Sequence, residues 1–569
     1  MKVISIIISI ISVIVTGCYS DSLPNPGLGP DESFTILHAA FPDPNNSELN
    51  SKFKNPQILK DYGFNYNTVI GNNIFLGALI SFSNVDNRII YDQGLNDWME
   101  FNSEALHKEI SDNKAAGLKC LGMTDILMIP QQLYEAHQDE ITESGRFSID
   151  KPFTQNLIRE MVNEIFLKFN LDGIIIRTGE LYMNRLIYHK GESLIRTRED
   201  YVILINILRE EICLKRDKIL IFRTWGMDGF HVSASFYLDV TNKIEPHKKL
   251  FFSIKHTADD FLRTALFNPT IGIGMHKQIV EFQSQRETEG KGAHPNYIAK
   301  SVLTGFTEAP AKLASFIKQR RIAGMFIWSR GGGWAGPHIE NELWCSLNTF
   351  VMSQFIAHQG FKTEEEIFED FCDKIGLKDD LSVSNFTKLS LLSEESILYG
   401  QYSNEYRINN WWTRDHCLGG IDQLKSTFDE IIANNKVEIA ICEKERAVEN
   451  WKEIVRLSNE IESKNETISD YIKISSLYGF YKYAIIKEGF SIMLLGYLGE
   501  VTRNYQTQKI ISSIDSYDRL WDEFRLLKEN NLNCPSLYHP FSFRFDPSTD
   551  YLSTMGMKTS VDRYRYLKN

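Results

Sequence analysis

The sequence predicts a (β/α)8 barrel followed by a mainly α-helical C-terminal domain. Three observations point there. Eight short apolar, β-rich runs recur between residues 34 and 330, segments of helical length separate them, and beyond about Glu342 strand-like runs nearly vanish. Strands alternating with helices build a parallel sheet, and eight of them close naturally into a barrel. A doubly wound open sheet is the alternative. No GxGxxG follows a strand run, so dinucleotide binding has no support.

The strand runs are Phe34–Phe41, Tyr66–Gly71, Gly117–Met123, Leu171–Arg177, Lys218–Thr224, Lys249–Lys255, Lys277–Gln283 and Gly324–Arg330. Between them, apolar residues at i, i+3, i+4 spacing predict helices over Gln57–Tyr62, Ser103–Ala116, Pro152–Phe169, Glu199–Leu214, Ser233–Tyr237 with its flanks, and Pro295–Arg320. Ser103 reads as a helix start and Gly117 as a stop. Further on, Glu364–Cys372, Phe386–Tyr399, Leu424–Ala433, Val437–Glu462, Ile468–Lys487 and Asp515–Lys528 are helix-like. Trp451, Ile454, Val455 and Ile461 form one apolar stripe. No fixed-period repeat occurs.

Ahead of the barrel, Lys2 precedes a mostly apolar run from Val3 to Val15. That is the length of a signal-peptide core and too short to span a bilayer as a stable helix. It ends in Val15-Thr16-Gly17-Cys18, which resembles a bacterial lipobox, in which the cysteine becomes the lipid-modified N-terminus. A buried strand or helix is the alternative. Residues 18–33 are rich in Pro, Gly, Ser and Asp and read as a tether. The expected organisation is a signal peptide over 1–17, a lipidated tether over 18–33, a barrel over 34–341 and a helical domain over 342–569. The expected location is the bacterial cell envelope, at the periplasmic face or the surface of the outer membrane.

With 43% hydrophobic residues the chain can build a large core, which excludes disorder for the bulk. Its 62 Lys+Arg against 74 Asp+Glu give a net charge of −12, against a general nucleic-acid binder but not against local cationic pockets. Beyond Cys18 the cysteines are Cys120, Cys213, Cys345, Cys372, Cys417, Cys442 and Cys534. They form no CxxC pair and no zinc spacing, and read mostly as small buried hydrophobes. A homodimer is compatible with the sequence.

A barrel carries its chemistry at the C-terminal ends of its strands. There the sequence has Arg177-Thr178-Gly179-Glu180, Arg223-Thr224-Trp225, Lys255-His256-Thr257-Ala258-Asp259-Asp260, Glu281 with Glu287 beyond it, and Trp328-Ser329-Arg330 followed by a glycine run and Trp334. Carboxylates for acid and base, aromatic rings to stack on sugars, and cations suited to an anionic sugar describe a glycosidase pocket. Each residue also has a plainer reading. Glu180 could be a solvated loop carboxylate. Asp259 or Asp260 could cap a helix over FLRTAL. Glu287, Glu289 and their neighbours could be a charged surface loop. Trp225, Trp328 and Trp334 could close the barrel end.

Two segments, IKHTADDF (254–261) and IVEFQSQRETEG (279–290), resemble the paired catalytic segments of the family 67 α-glucuronidases. DGIIIRTGE (172–180) resembles that family's acid-bearing segment. The resemblance covers roughly residues 60–420. It implies a general acid at Glu180 and two base carboxylates at Asp260 and Glu287. It also implies uronate-binding cations at Lys255, Arg177 and Arg223, and an Asn at the end of strand two, Asn72 or Asn73. Trp225, Trp328 and Arg330 complete the expected substrate contacts. The chain differs from the family in three places. Where the family has an α+β domain before the barrel, about fifteen tether residues stand before strand one, strand one offers Phe41 or His38 where the family has a Trp, and the acid loop is one residue shorter.

The expected activity is inverting hydrolysis of α-linked glucuronic acid, or a related uronic acid, from plant-type oligosaccharides such as glucuronoxylan fragments, with no cofactor. A catalytically silent glycan-binding lipoprotein on the same barrel is one alternative. A metal-dependent hydrolase using His38, His189, His231, His256 or His294 is another, although no HxH pair ends strand one. Glu281 and Asp228 are the reserve candidates for the acid.

Overall fold

The computed structural model describes residues 27–40, 51–70, 75–178, 188–226, 228–286, 289–305, 313–330, 341–402, 419–531, 534 and 556–568. Eight parallel strands close into a barrel in chain order. They are β1 (Thr35–Ala40), β2 (Tyr66–Val69), β3 (Lys119–Asp125), β4 (Gly173–Arg177), β5 (Ile219–Arg223), β6 (Leu250–Lys255), β7 (Lys277–Gln283) and β8 (Gly324–Arg330). The expected runs all became strands because their β-branched and aromatic residues are buried on both faces, as in Gly-Ile-Ile-Ile-Arg of β4. Two strands begin with glycine for a steric reason. A Cβ on Gly173 would lie 2.3 Å from the Ile219 carbonyl oxygen, and one on Gly324 2.1 Å from that of Thr35.

β3 runs past Met123 to Asp125, which brings a carboxylate to its end. The second crossover helix begins at Gln93, not Ser103. Asp92 caps it by accepting the Gly94 amide at 2.7 Å, and Ser103 sits inside it with its hydroxyl donated to the Met99 carbonyl. Pro152 opens the helix Pro152–Lys168. A Thr197/Asp200 capping box opens Arg198–Leu208, which passes into a π-turn over Arg209–Leu214. Of the helix expected over Pro295–Arg320, the described residues form Ala299–Thr304, which stops at Gly305, and Leu313–Lys318.

Past the barrel the described residues are helical: Leu343–Ala357, Glu364–Lys374, Asp380–Gln401, Ile421–Ala433, Val437–Asn459, Glu466–Thr502 and Thr507–Asn530. The first of these has no counterpart in the sequence reading. It is buried all round except at Gln354 and Ala357, so it lacks the apolar stripe that marks a surface helix. Its position between barrel and helical region explains this. Asn348 accepts the Ile298 and Ala299 amides and donates to the Ser284 carbonyl beyond β7. Trp344 donates to Ser475 on Glu466–Thr502 at 3.1 Å. Among the described residues no helix is long and apolar enough to cross a membrane.

Candidate active site

Charged residues at the strand ends are paired across the barrel. Asp125 and Arg177 are register partners on β3 and β4. Arg177 donates Nε to Asp125 Oδ1 at 2.6 Å and Nη2 to Oδ2 at 3.2 Å, with its guanidinium 4.2 Å from the Phe75 ring centre. Arg223 on β5 reaches past β6 to Glu281 on β7 with two 2.7 Å bonds. Ser253 and Trp328 Nε1 donate to the same carboxylate at 2.8 and 3.3 Å. Burial alone would raise the Glu281 pKa, but the charges of Arg223 and Lys255 outweigh it and hold the group below the usual carboxylate range. An ionised, fully bonded carboxylate has no proton to give, so Glu281 is unsuited to general acid work. Asp228 is exposed and accepts from the Tyr201 hydroxyl at 2.6 Å.

The end of β6 is different. Lys255 Nζ lies 3.4 Å from the centre of the Trp225 ring and 4.8 Å from that of Phe261, and it donates to Asp260 Oδ1 at 2.6 Å. The lysine side chain is 5% exposed, but that of Asp260 is 34% exposed. A rim carboxylate therefore stands in solvent reach over a buried ammonium packed on an aromatic face. A carboxylate so placed is within reach of a water whose proton it could accept. The Asp260 backbone is held by neighbouring side chains: Asp259 Oδ1 accepts the Asp260 amide at 2.7 Å and the Thr257 hydroxyl donates to the Asp260 carbonyl at 2.6 Å. The segment FLRTAL forms no helix, so neither aspartate is a helix cap.

Three imidazoles are buried on the barrel strands and the loops beyond them: His38 on β1, His231 after β5 and His256 after β6. His38 is within 2.8 Å of both Asn67 Oδ1 and Ser329 Oγ. His231 contacts Thr224 Oγ1 at 2.9 Å. Burial lowers both to about 4, and His256 to about 3, so all three are neutral near pH 7. His189 and His294 are also buried, the former against the Ala78 carbonyl and the latter 3.5 Å from Lys482 Nζ. No group of three or more His, Cys, Asp or Glu among the described residues is placed to hold a metal.

A second ionic cluster braces the loops that follow β6 and β7. Arg263 Nε donates to Glu289 Oε1 at 2.7 Å, and Arg286 Nη2 lies 2.9 Å from Glu394 Oε1 on the helix Asp380–Gln401. Arg263 also donates to the Glu394 carbonyl at 3.3 Å. Both arginines and Glu289 are at most 2% exposed. Burial would raise the Glu289 pKa, but Arg263 and Arg286 hold it below its ordinary value. Gln285, Arg286 and Glu289 are thus interior residues, which overturns the surface-loop reading for these three, while Glu287 lies outside the described residues.

Of the expected site residues, the fold brings Arg177, Arg223, Trp225, Lys255, Asp260, Trp328 and Arg330 to one end of the barrel. Trp328 is buried, and Arg330 is 16% exposed with Nη1 3.9 Å from Glu342. Cys18, Phe41, Asn72, Asn73, Glu180, Glu287 and Trp334 lie outside the described residues. Sequence reasoning missed Asp125, Arg263, Arg286 and Glu394. Asp125 had a signal, a polar Thr-Asp step at the end of a strand run. Glu394, on a distant helix, had none.

The sequence matches no family model and no curated protein. The fold does have solved neighbours. A GH138 enzyme targeting pectin rhamnogalacturonan II superposes with a TM-score of 0.59 at 11% identity, over 94% of this chain and 83% of the other. An O-GlcNAc hydrolase from Thermobaculum terrenum gives 0.38 at 8% identity, over 88% and 96%. A GH20 exo-β-N-acetylglucosaminidase from Vibrio harveyi gives 0.32 at 9% identity, over 59% and 57%. These neighbours are glycoside hydrolases, and the first shares the barrel with helical additions.

Proposed function

We propose that this chain is a glycoside hydrolase acting on uronic-acid-bearing glycans, an α-glucuronidase of the family 67 type. One observation carries the reading: the solvent-reached Asp260 carboxylate paired with Lys255, whose ammonium packs on Trp225, at the C-terminal end of a (β/α)8 barrel. The barrel neighbour that targets pectin rhamnogalacturonan II supports a glycan as substrate.

In this proposal Glu180 is the general acid and donates a proton to the leaving oxygen. Asp260 and Glu287 take the proton of a water on the opposite face, which inverts the anomeric centre. Inversion needs the acid and base carboxyls about 6.5–9.5 Å apart, leaving room for that water. Arg330, the more exposed cation, and Lys255, packed on Trp225 below Asp260, meet the uronate carboxylate. Arg177 and Arg223, each bound to an acidic partner, set the charge behind them. Trp225 and Asn72 contact the sugar, and Trp328 backs Glu281. Cys18 carries the lipid that holds the protein at the envelope.

Hydrolysis of uronic-acid-capped oligosaccharides, with the anomer of the released acid followed by NMR, tests this. Release with inverted configuration is expected. Retention would overturn the base assignment. Binding without turnover across the panel would favour the silent glycan-binding reading.

A further inference from the structure

The end of the barrel opposite the candidate site is cationic, although the chain carries a net charge of −12. A cavity of about 570 Å³ opens there, lined by Lys119, Lys218, Lys248, Lys249, Lys277 and the entering chain at Leu28. Three carboxylates share it, Glu32, Asp172 and Asp217, so the lysines outnumber the acids by two. The barrel's topology gathers these lysines. Lys119 and Lys277 open β3 and β7, while Lys218 and Lys249 immediately precede β5 and β6. All strands are parallel, so their starts share one face and their ends, with the candidate site, share the other.

The rim of this face is also apolar. A groove that shares Lys218 is lined by Phe166, Leu167 and Arg216. Leu167 is 75% exposed, Leu214 52% and Met275 40%. Leu167 and Leu214 close the crossover helices before β4 and β5, and Met275 lies two residues ahead of β7, so all three sit at the strand-start end. Mixed lysine and exposed aliphatic side chains are the composition of a surface that rests on anionic headgroups.

The chain also enters the barrel here. The Leu28 amide donates to the Arg320 carbonyl at 2.9 Å, Arg320 Nη2 donates to Gly29, and Glu32 pairs with Lys277. Ten residue steps separate Leu28 from Cys18. Fully extended they reach at most about 35 Å, so a lipid on Cys18 keeps this face close to a bilayer.

We propose that the strand-start face docks on an anionic lipid bilayer and turns the mouth of the barrel away from it. The lysines meet headgroup phosphates, and Leu167, Leu214 and Met275 enter the interface between them. The glycan-binding end then faces solution, where a large polysaccharide can reach it. The inference does not depend on which glycan is cleaved. The Cys18 anchor supports it but can fail separately.

The test is amine-reactive footprinting of the full chain with two vesicle preparations, phosphatidylcholine alone and an equimolar mixture with phosphatidylglycerol. Intact mass reports acylation of Cys18 in the same samples. Labelling of Lys119, Lys248 and Lys249 should fall roughly fivefold on the anionic vesicles and recover in high salt. Lys108 and Lys452, exposed elsewhere, should not change. In the triple variant Lys119→Gln, Lys248→Gln, Lys249→Gln, Lys218 should label equally in both preparations while hydrolysis of a soluble substrate is unchanged. Protection without acylation keeps the face and rejects the anchor. Equal labelling of the three lysines in both preparations, acylated or not, overturns the proposal, as does an equal fall at Lys108 and Lys452.

Discussion

Arg223 holds Glu281 through two parallel 2.7 Å hydrogen bonds that span β6, with both side chains buried. Removing one member of such a pair leaves a buried charge uncompensated, at a cost of about 3–5 kcal/mol. Arg223→Leu should therefore destabilise the protein by that amount. The deficit should depend on pH. In the wild type Glu281 titrates below the ordinary carboxylate range, so its contribution is complete above that range and fades as pH falls through the folded-state pKa. In the variant the buried acid takes up a proton, and the penalty grows as pH rises. Urea melts should show a larger deficit at pH 8 than at pH 5. Equal deficits would mean that Glu281 stays ionised without Arg223.

The buried imidazoles give the wild type a separate acid sensitivity. His38 and His231 at about 4, and His256 at about 3, all lie below the unfolded value of about 6.5. The unfolded chain binds these protons first, so stability is full above about pH 6.5 and falls as pH drops towards 4. Each such group adds up to about 1.4 kcal/mol per pH unit near pH 5, and His189, at about 4, and His294, held well below its ordinary value by burial, add to these three. Replacing His38 with Gln should reduce the slope by one such share, about 1.4 kcal/mol per pH unit. An unchanged slope would show that His38 is already protonated in the fold.

The strands were legible because a buried parallel strand is written in contiguous residues, and Ile174-Ile175-Ile176 can do little else. The gathering of cations and aromatics at the strand ends follows from that alternation. The pairings do not. Arg223 and Glu281 are 58 residues apart, and only the barrel register makes them neighbours two strands over. Asp125 was lost because the apolar run ends at Met123 although the backbone pairing continues. The helix Leu343–Ala357 was lost because complete burial erases the amphipathic period.

Lys255→Met tests the uronate contact. A charge-assisted hydrogen bond is worth roughly 1.5–3 kcal/mol, so affinity for a uronide should drop about tenfold to a hundredfold while a neutral sugar of the same shape loses far less. Calorimetric titration with both ligands reads this directly. Equal losses would make the lysine a support for Asp260 and Trp225 alone.

On the proposed mechanism, Glu287→Gln should abolish hydrolysis and leave the melting temperature within a few degrees of wild type. The change keeps the shape of the side chain and removes only its charge. Near-wild-type turnover would reject Glu287 as a base.

The last prediction concerns Glu394, which the sequence placed in a helix and nowhere near the chemistry. Its carboxylate lies 2.9 Å from Arg286 and 3.8 Å from Arg263. Arg263 belongs to the loop that carries Asp260, and Arg286 directly precedes Glu287 in sequence. One helical side chain therefore braces both segments to which the base carboxylates are assigned. Glu394→Gln keeps the volume but removes the charge that offsets two buried guanidiniums. The fold should survive, because Glu289 still pairs with Arg263. The segments should lose their common anchor, and small displacements of a catalytic group cost much of the rate. Turnover should fall at least tenfold with KM little changed, and Glu394→Asp should restore part of it. A purely structural role would instead lower the melting temperature and scale activity with the folded fraction, leaving kcat per folded molecule intact. That outcome would confine Glu394 to holding the helical region against the barrel.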